Sequence, residues 1–177
     1  RKVVVFIPDV YEALVLKSPR LWWPNNYGRQ ELYTMDVAVA EKGVPSDSKK
    51  VRFGVRELSY ELEICFPDDS IRRMEYRPTV MGQGEPVFDN INRKYIEGGM
   101  CMPRLKKNVS SDILVPAPDK AMQHYMVIKV NGKRIFCKGG NWGMDDAMKR
   151  VSREHLEPYF RLHKEANFNM IRNWTGE

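Results

Sequence analysis

Arg172 and Trp174 stand two residues apart in the run Asn169-Met170-Ile171-Arg172-Asn173-Trp174. A strand there places a guanidinium and an indole on one side of the chain. Such a guanidinium can keep a neighbouring carboxylate ionised and oriented, or it can be a plain surface or interdomain cation. A second polar group, Asn141, Trp142, Asp145 and Asp146, falls in the loop after Ile135–Gly140. Either aspartate can accept hydrogen bonds from a ligand, or can instead cap the loop or meet Arg150. His124, His155 and His163 are scattered without an acidic or cysteine partner at ligand spacing, and read as solvated or core histidines. Cys65, Cys101 and Cys137 are odd in number and lack a CxxC pair, which argues against a disulfide framework and a zinc site. Cys137, in an apolar run, reads as a small core residue. No metal and no cofactor are expected.

The elements that must position these residues follow from punctuation and period. Asn131-Gly132-Lys133-Arg134 is a turn, and Ile135–Gly140 reads as a short buried strand. Ser152 is a candidate N-cap for a helix to about Ala166, with Glu154 one position short of capping-box spacing. Leu156, Tyr159, Phe160 and His163 form its apolar stripe; Pro158 predicts a kink, or a start near Glu157. Strand, helix and the second strand, Asn169–Trp174, make one β-α-β unit, which needs a parallel sheet to complete it. The chain stops at Glu177, so the reading is of a piece of a larger protein.

Upstream, the first sixty residues predict strands at Val3–Ile7, Leu14–Leu16, Tyr33–Ala40, Lys50–Val55 and Glu57–Glu63. The polar stretch Glu41–Asp47 reads as the turn of a hairpin. Polar turns at such spacing suggest an antiparallel sandwich with strands lost upstream. From Ile64 to about Lys120, Pro67, Pro78, Pro86, Pro103, Pro116 and Pro118 break every period. That stretch reads as an irregular insertion, or a linker with short strands of its own, flanked by Ile64–Phe66 and Met126–Val130.

Composition bounds the class. The 42% hydrophobic and 11% aromatic fractions are globular values. A net charge of +6 admits an anionic partner, yet no window is basic enough for a phosphate-binding stripe, so nucleic acid is not expected. No apolar run approaches the ~18 residues of a membrane span, so no membrane partner is expected either. Localisation stays open, periplasmic or secreted included, because the N-terminus is expected to be missing. The Asn108-Val109-Ser110 sequon has weight only in a protein secreted by a eukaryote.

Several stretches together resemble glycoside hydrolase family 2, on its β-mannosidase, exo-β-glucosaminidase and endo-β-mannosidase side. They are Val130–Lys133, Lys138-Gly139-Gly140-Asn141-Trp142 and Glu165–Trp174, with Pro19-Arg20-Leu21-Trp22-Trp23-Pro24-Asn25-Asn26-Tyr27-Gly28, Leu32-Tyr33 and Phe53-Gly54-Val55-Arg56-Glu57 upstream. The upstream set resembles the late part of that family's immunoglobulin-like sandwich, and the downstream set resembles the opening of its barrel. The middle of the chain is unmatched. The resemblance implies a mixed fold: a partial antiparallel immunoglobulin-like β-sandwich (residues 1–63), the irregular insertion (64–125) and the first β-α-β unit of a (β/α)8 TIM barrel (126–177).

The chemistry so implied is retaining hydrolysis of a β-glycoside by two carboxylates about 5 Å apart. In the family both come from later barrel strands, so no catalytic residue is expected in this chain, and neither Glu165 nor Glu177 takes the role. The carbohydrate substrate of the parent would meet a wall made of Arg172, Trp174, Asn141, Trp142, Asp145 and Asp146. Arg172 is expected beside the nucleophile. Trp174 either forms a wall against a sugar's C–H face or packs the barrel mouth. The histidine motif of galactosidase and glucuronidase members is replaced by Asn173-Trp174, which disfavours those activities. Gly140-Asn141-Trp142 resembles the endo-β-mannosidase branch. Thr175-Gly176-Glu177 departs from the glycine run of many mannosidase-like members, which leaves the exact substrate open. Trp22 and Trp23 are read as packing the sandwich against the barrel rather than as a sugar platform. The chain alone is expected to be inactive, and its uncovered edges predict repacking, a homo-oligomer or an incompletely ordered C-terminus. The competing class is a non-catalytic carbohydrate- or protein-binding β-module that uses those tryptophans.

Overall fold

The computed structural model describes residues 4–81, 86–95, 101–110, 114–117, 126–143 and 150–174. Strands β1 (Tyr33–Glu41) and β2 (Val44–Phe53) form the expected hairpin, but its turn is far shorter than Glu41–Asp47. Lys42 and Gly43 have φ of 50° and 82°, the paired positive values of a two-residue turn whose twist matches its strands. The polar residues up to Lys50 are therefore strand. Among the described residues of the strands expected at Val3–Ile7 and Leu14–Leu16, none is strand. Pro8 and Asp9 throw the chain into a turn in which the Val10 and Tyr11 amides both donate to the Ile7 carbonyl. Glu12–Leu14 is a single 3-10 turn. A strand exists only against a partner, and among the described residues none lies alongside; Val5 is 75% exposed.

The main body is a seven-stranded sheet. It comprises β3 (Leu58–Cys65), β4 (Ile71–Tyr76), β5 (Phe88–Tyr95), β6 (Cys101–Leu105), β7 (Val115–Pro116), β8 (Val127–Val130) and β9 (Lys133–Ile135), with a short helix α1 (Pro78–Met81) after β4. One edge of β3 carries β4; the other is shared by β8, beside Leu58–Glu61, and β6, at Cys65. The stretch 64–125 thus holds strands of its own, from β4 to β7. Ile64, Phe66, Met74, Val87, Leu105 and Leu114 form the buried core on one face.

The opposite face is charged and also buried. Ser59 and Glu61 alternate with the core residues of β3, yet are 2% and 1% exposed. Arg134 grips Glu61 with two hydrogen bonds, Nε to Oε1 at 3.1 Å and Nη2 to Oε2 at 2.8 Å. Arg73 and Lys129 close round the same carboxylate. Lys129 and Arg77 also hold Glu75. Burial pushes the Glu75 carboxyl up, but the hydrogen bonds from Lys129, Ser59 and Arg77 outweigh it and leave the group below its ordinary range.

In β5 the register slips between Asp89 and Lys94, and Asp89 is the cause. Its carboxylate accepts the Asn92 amide at 3.0 Å, the Asn92 side chain at 2.9 Å and the Ile91 amide at 2.9 Å. These bonds hold it at about 2. A depressed carboxylate stabilises the fold at pH above its unfolded value of about 3.9, and that contribution is lost as pH falls through about 2. An NMR titration should give Asp89 a midpoint near 2. Asn92→Ala should move it towards the unfolded value; an unmoved midpoint would sink this account.

The expected strand Ile135–Gly140 is divided. Asn131 and Gly132, with φ of 51° and 76°, turn β8 into β9, and β9 ends at Ile135. A new strand, β10 (Gly139–Trp142), then pairs in parallel with β11 (Met170–Asn173). Between them lies helix α2 (Arg153–Glu165), which completes a β-α-β unit. The Ser152 hydroxyl caps α2, accepting from the His155 amide at 3.3 Å. Glu154, despite its spacing, joins the cap; its own amide and the Ser152 hydroxyl hold its carboxyl below the ordinary range. Pro158 neither starts nor ends the helix, which runs through it. Most of the regular structure among the described residues is therefore β-strand in largely antiparallel sheets, consistent with a β-sandwich. Among the described residues no helix is long and apolar enough to cross a membrane.

Candidate functional site

Parallel pairing decides which side chains meet. Asn141 is the register partner of Arg172, and Trp142 of Asn173. Residues paired in this way share a face, and the Arg172 Nη1 donates to Asn141 Oδ1 at 3.3 Å. The guanidinium carbon lies 4.5 Å from the Trp174 ring centroid, a cation–π stack. Trp174 is held there by its amide, which donates to the Trp142 carbonyl at 2.9 Å. Its indole is 58% exposed. Asn141, Arg172 and Trp174 thus form one surface: a fork of donors, an amide and a flat apolar wall.

Trp142 is turned the other way, onto α2. Its ring lies 5.4 Å from Tyr159, edge-on, and 6.0 Å from Phe160, stacked. His163 packs against it and against Phe168, with its Nδ1 on the Tyr159 carbonyl, and is half-buried rather than core. Asp145, Asp146 and His124 lie outside the described residues. Arg172 has no carboxylate partner among the described residues, so its outward face can receive one. Beside it opens a mainly apolar cavity of about 950 Å³, lined by Tyr27, Ile128, Ile135, Phe136, Met170 and Ile171. Cys137, also on its wall, is half-buried rather than core.

The support beneath this surface was not anticipated. Asn169 bridges the two strand starts: its Oδ1 accepts the Lys138 amide at 2.9 Å and its Nδ2 donates to the Phe136 carbonyl at 3.0 Å. Gly139 lies so close to β11 that a Cβ there would stand 1.9 Å from the Met170 carbonyl oxygen. The only sequence signals were an asparagine opening one strand and a Gly-Gly pair opening the other.

Trp22 and Trp23 are half-buried. The Trp22 amide donates to the Val55 carbonyl, its carbonyl accepts from Asn131 Nδ2, and Arg56 lies over its ring at 4.7 Å. Trp22, with Pro24, also lines a seam of about 310 Å³ against Phe160, Phe168 and Ile171. Among the described residues no three His, Cys, Asp or Glu side chains are grouped to hold a metal ion.

Comparison with known proteins places these features. Residues 2–56 match the model of the glycosyl hydrolases family 2. An exo-β-D-glucosaminidase of Streptomyces avermitilis is 38% identical over 171 residues, 97% of this chain and 12% of that protein. A mannosylglycoprotein endo-β-mannosidase of Lilium longiflorum is 28% identical over 164 residues, 92% of this chain and 11% of its own length. β-Mannosidase A of Aspergillus terreus is 25% identical over 179 residues, 99% of this chain and 14% of its own. The chain spans little more than a tenth of these relatives. No solved structure matches.

Proposed function

Because the chain belongs to glycoside hydrolase family 2, we propose that its protein is a retaining glycosidase acting on β-linked mannosides or glucosaminides. The two carboxylates that such chemistry requires lie, in this reading, on later barrel strands, as the family resemblance implies. In this reading β10, α2 and β11 open a (β/α)8 barrel, and the barrel part of the 126–177 segment begins at Gly139, since β8 and β9 hydrogen-bond within the large sheet. Sites of such barrels lie at the C-terminal ends of strands. Asn141, Arg172 and Trp174 occupy those ends and form one wall of the sugar site. Asp145 and Asp146 are proposed to hydrogen-bond sugar hydroxyls.

The observation that carries the reading is the Asn141–Arg172–Trp174 surface. Asn141 accepts from one arm of the guanidinium, and the Trp174 ring lies 4.5 Å from its carbon. The remaining donors are then aimed where a nucleophilic carboxylate would be kept ionised. The wide exposed indole suits the C–H face of a pyranose. A non-catalytic module built on Trp22 and Trp23 has less support, because both tryptophans are packed rather than presented.

The test is kinetic. The full-length protein should hydrolyse aryl β-mannosides or β-glucosaminides, and the 177-residue chain alone should not. Arg172→Ala should lower kcat/KM roughly 100-fold, the usual loss for one preorganised electrostatic group. An unchanged kcat/KM in that variant would overturn the assignment of the wall.

A further inference from the structure

The face formed by Asn141, Arg172 and Trp174 is anchored from outside itself, by a loop more than a hundred residues upstream in the chain. Residues 23–30 make a braced turn. The Trp23 amide donates to the Arg29 carbonyl at 3.0 Å and the Tyr27 amide to the Pro24 carbonyl at 3.0 Å. Gln30 Nε2 donates to the Trp23 and Gly28 carbonyls. From this brace three side chains reach across the seam. Asn25 Nδ2 donates to the carbonyls of Lys164 at 2.9 Å and Phe168 at 3.1 Å. Asn26 Nδ2 donates to the Asn167 carbonyl at 3.1 Å. The Tyr27 hydroxyl accepts the Phe136 amide at 2.8 Å.

The places gripped have one property in common. Lys164, Asn167 and Phe168 form the end of α2 and the turn into β11, where carbonyls lack the regular helical partner; the Lys164 carbonyl takes the Asn167 amide at 3.0 Å beside that of Asn25. Asn167 is in the left-handed region at φ 64°. Phe136 begins the lead into β10. The same loop therefore holds the entry to both strands of the parallel pair. Between those entries, Asn169 ties Phe136 and Lys138 to the start of β11. Neither strand can slide or tilt without breaking a bond to the loop. A displacement at the entry travels along a four-residue strand directly to Arg172.

We propose that Asn25, Asn26 and Tyr27 are positioning residues, and that this loop sets the register and tilt of β10 and β11 and so the aim of the Arg172 guanidinium. The consequence for catalysis rests on the reading of that surface as a sugar-site wall; the mechanical claim does not. Asn25→Asp separates the proposal from simple packing, because it keeps the shape of the side chain and replaces two donors by acceptors facing carbonyls. Tyr27→Phe keeps the ring and removes the acceptor.

The experiment uses the full-length protein carrying Asn25→Asp, Tyr27→Phe or both, with two readouts. Hydrogen exchange should quicken at the amides of Phe136, Lys138, Asn169, Met170 and Trp174 by roughly tenfold per lost hydrogen bond. The β3–β4 ladder should keep wild-type protection. With aryl β-mannoside or β-glucosaminide, kcat should fall roughly 10- to 100-fold while KM stays within about twofold, as misplacement of a transition-state group requires. Wild-type exchange at those five amides in the double variant overturns the proposal, and so does an equal rise throughout β3 and β4. A wild-type protein without turnover defeats the glycosidase reading, and exchange alone then decides whether the loop is a clamp.

Discussion

Replacing Glu61 with alanine is expected to cost about 3–5 kcal/mol of folding stability, the usual price of breaking one side of a buried ion pair. The carboxylate is 1% exposed and accepts a two-point grip from Arg134. Arg73 and Lys129, whose side chains are 5% and 13% exposed, face the same group. Without Glu61, the desolvated Arg73 and Lys129 lose the carboxylate that they share. Surface pairs of the same chemistry, such as Arg161 with Glu157 and Glu165 on α2, should each contribute below about 1 kcal/mol. Urea unfolding of Glu61→Ala and Glu157→Ala should therefore separate the two classes. A loss below about 1 kcal/mol for Glu61→Ala would mean that water reaches the cluster and that its burial has no energetic meaning. Glu61→Gln keeps the volume and one acceptor for Arg134, and should fall between alanine and wild type.

Gly139→Ala is expected to separate β10 from β11. The added methyl would lie 1.9 Å from the Met170 carbonyl oxygen and 2.8 Å from its carbon, and both are backbone atoms. Nothing there is the movable tip of a side chain. The strands must part, which endangers the pairing of Asn141 with Arg172 and of Trp142 with Asn173. The adjacent Gly140 is the internal control, since a Cβ at that position meets nothing within 4 Å. Gly140→Ala should change stability by no more than about 0.5 kcal/mol. Gly139→Ala should release the Met170–Trp174 amides to rapid hydrogen exchange, and should reduce the glycosidase turnover proposed for the full-length protein by roughly 100-fold. Wild-type protection of those amides would show that the strand pair tolerates the displacement.

Local pattern was most legible where the determinants were local. The β1–β2 hairpin, the Asn131-Gly132 turn, the Ser152 cap and the order strand, helix, strand are each written in one continuous stretch, the longest running from Gly139 to Asn173. Their chemistry is that of caps, turns and period. The turn of the first hairpin was still misplaced, because Glu41–Asp47 looks polar throughout and the two residues that actually turn, Lys42 and Gly43, are set by backbone twist. Apolar runs near the start read as strands and are not. Their pattern was right for a strand, but pairing is supplied by another segment, and none lies beside them among the described residues.

The candidate site divides in the same way. Spacing put Arg172 and Trp174 on one side of a strand, and they do meet. Trp142 looked equivalent to Asn141 because the two are adjacent in one polar stretch. Alternation along β10 sends one to the Arg172 face and the other to α2. The contacts of Asn25–Tyr27 across the seam follow from no local period, since their partners lie over a hundred residues away.

By itself the sequence determined the family resemblance, the β-α-β order, and the placing of Arg172 and Trp174 on one side of a strand. Motif chemistry and short-range period are enough for those, because each depends on neighbours along the chain. The tertiary structure alone decided that the proline-broken middle carries the best-buried core. It also decided that Ser59 and Glu61, the apparent solvent face of β3, are interior. The physical reason is the same in both cases. Burial of a strand face depends on what arrives from β4, β8 and β9, and a carboxylate can stay inside only when Arg73, Lys129 and Arg134 converge on it from three separate strands.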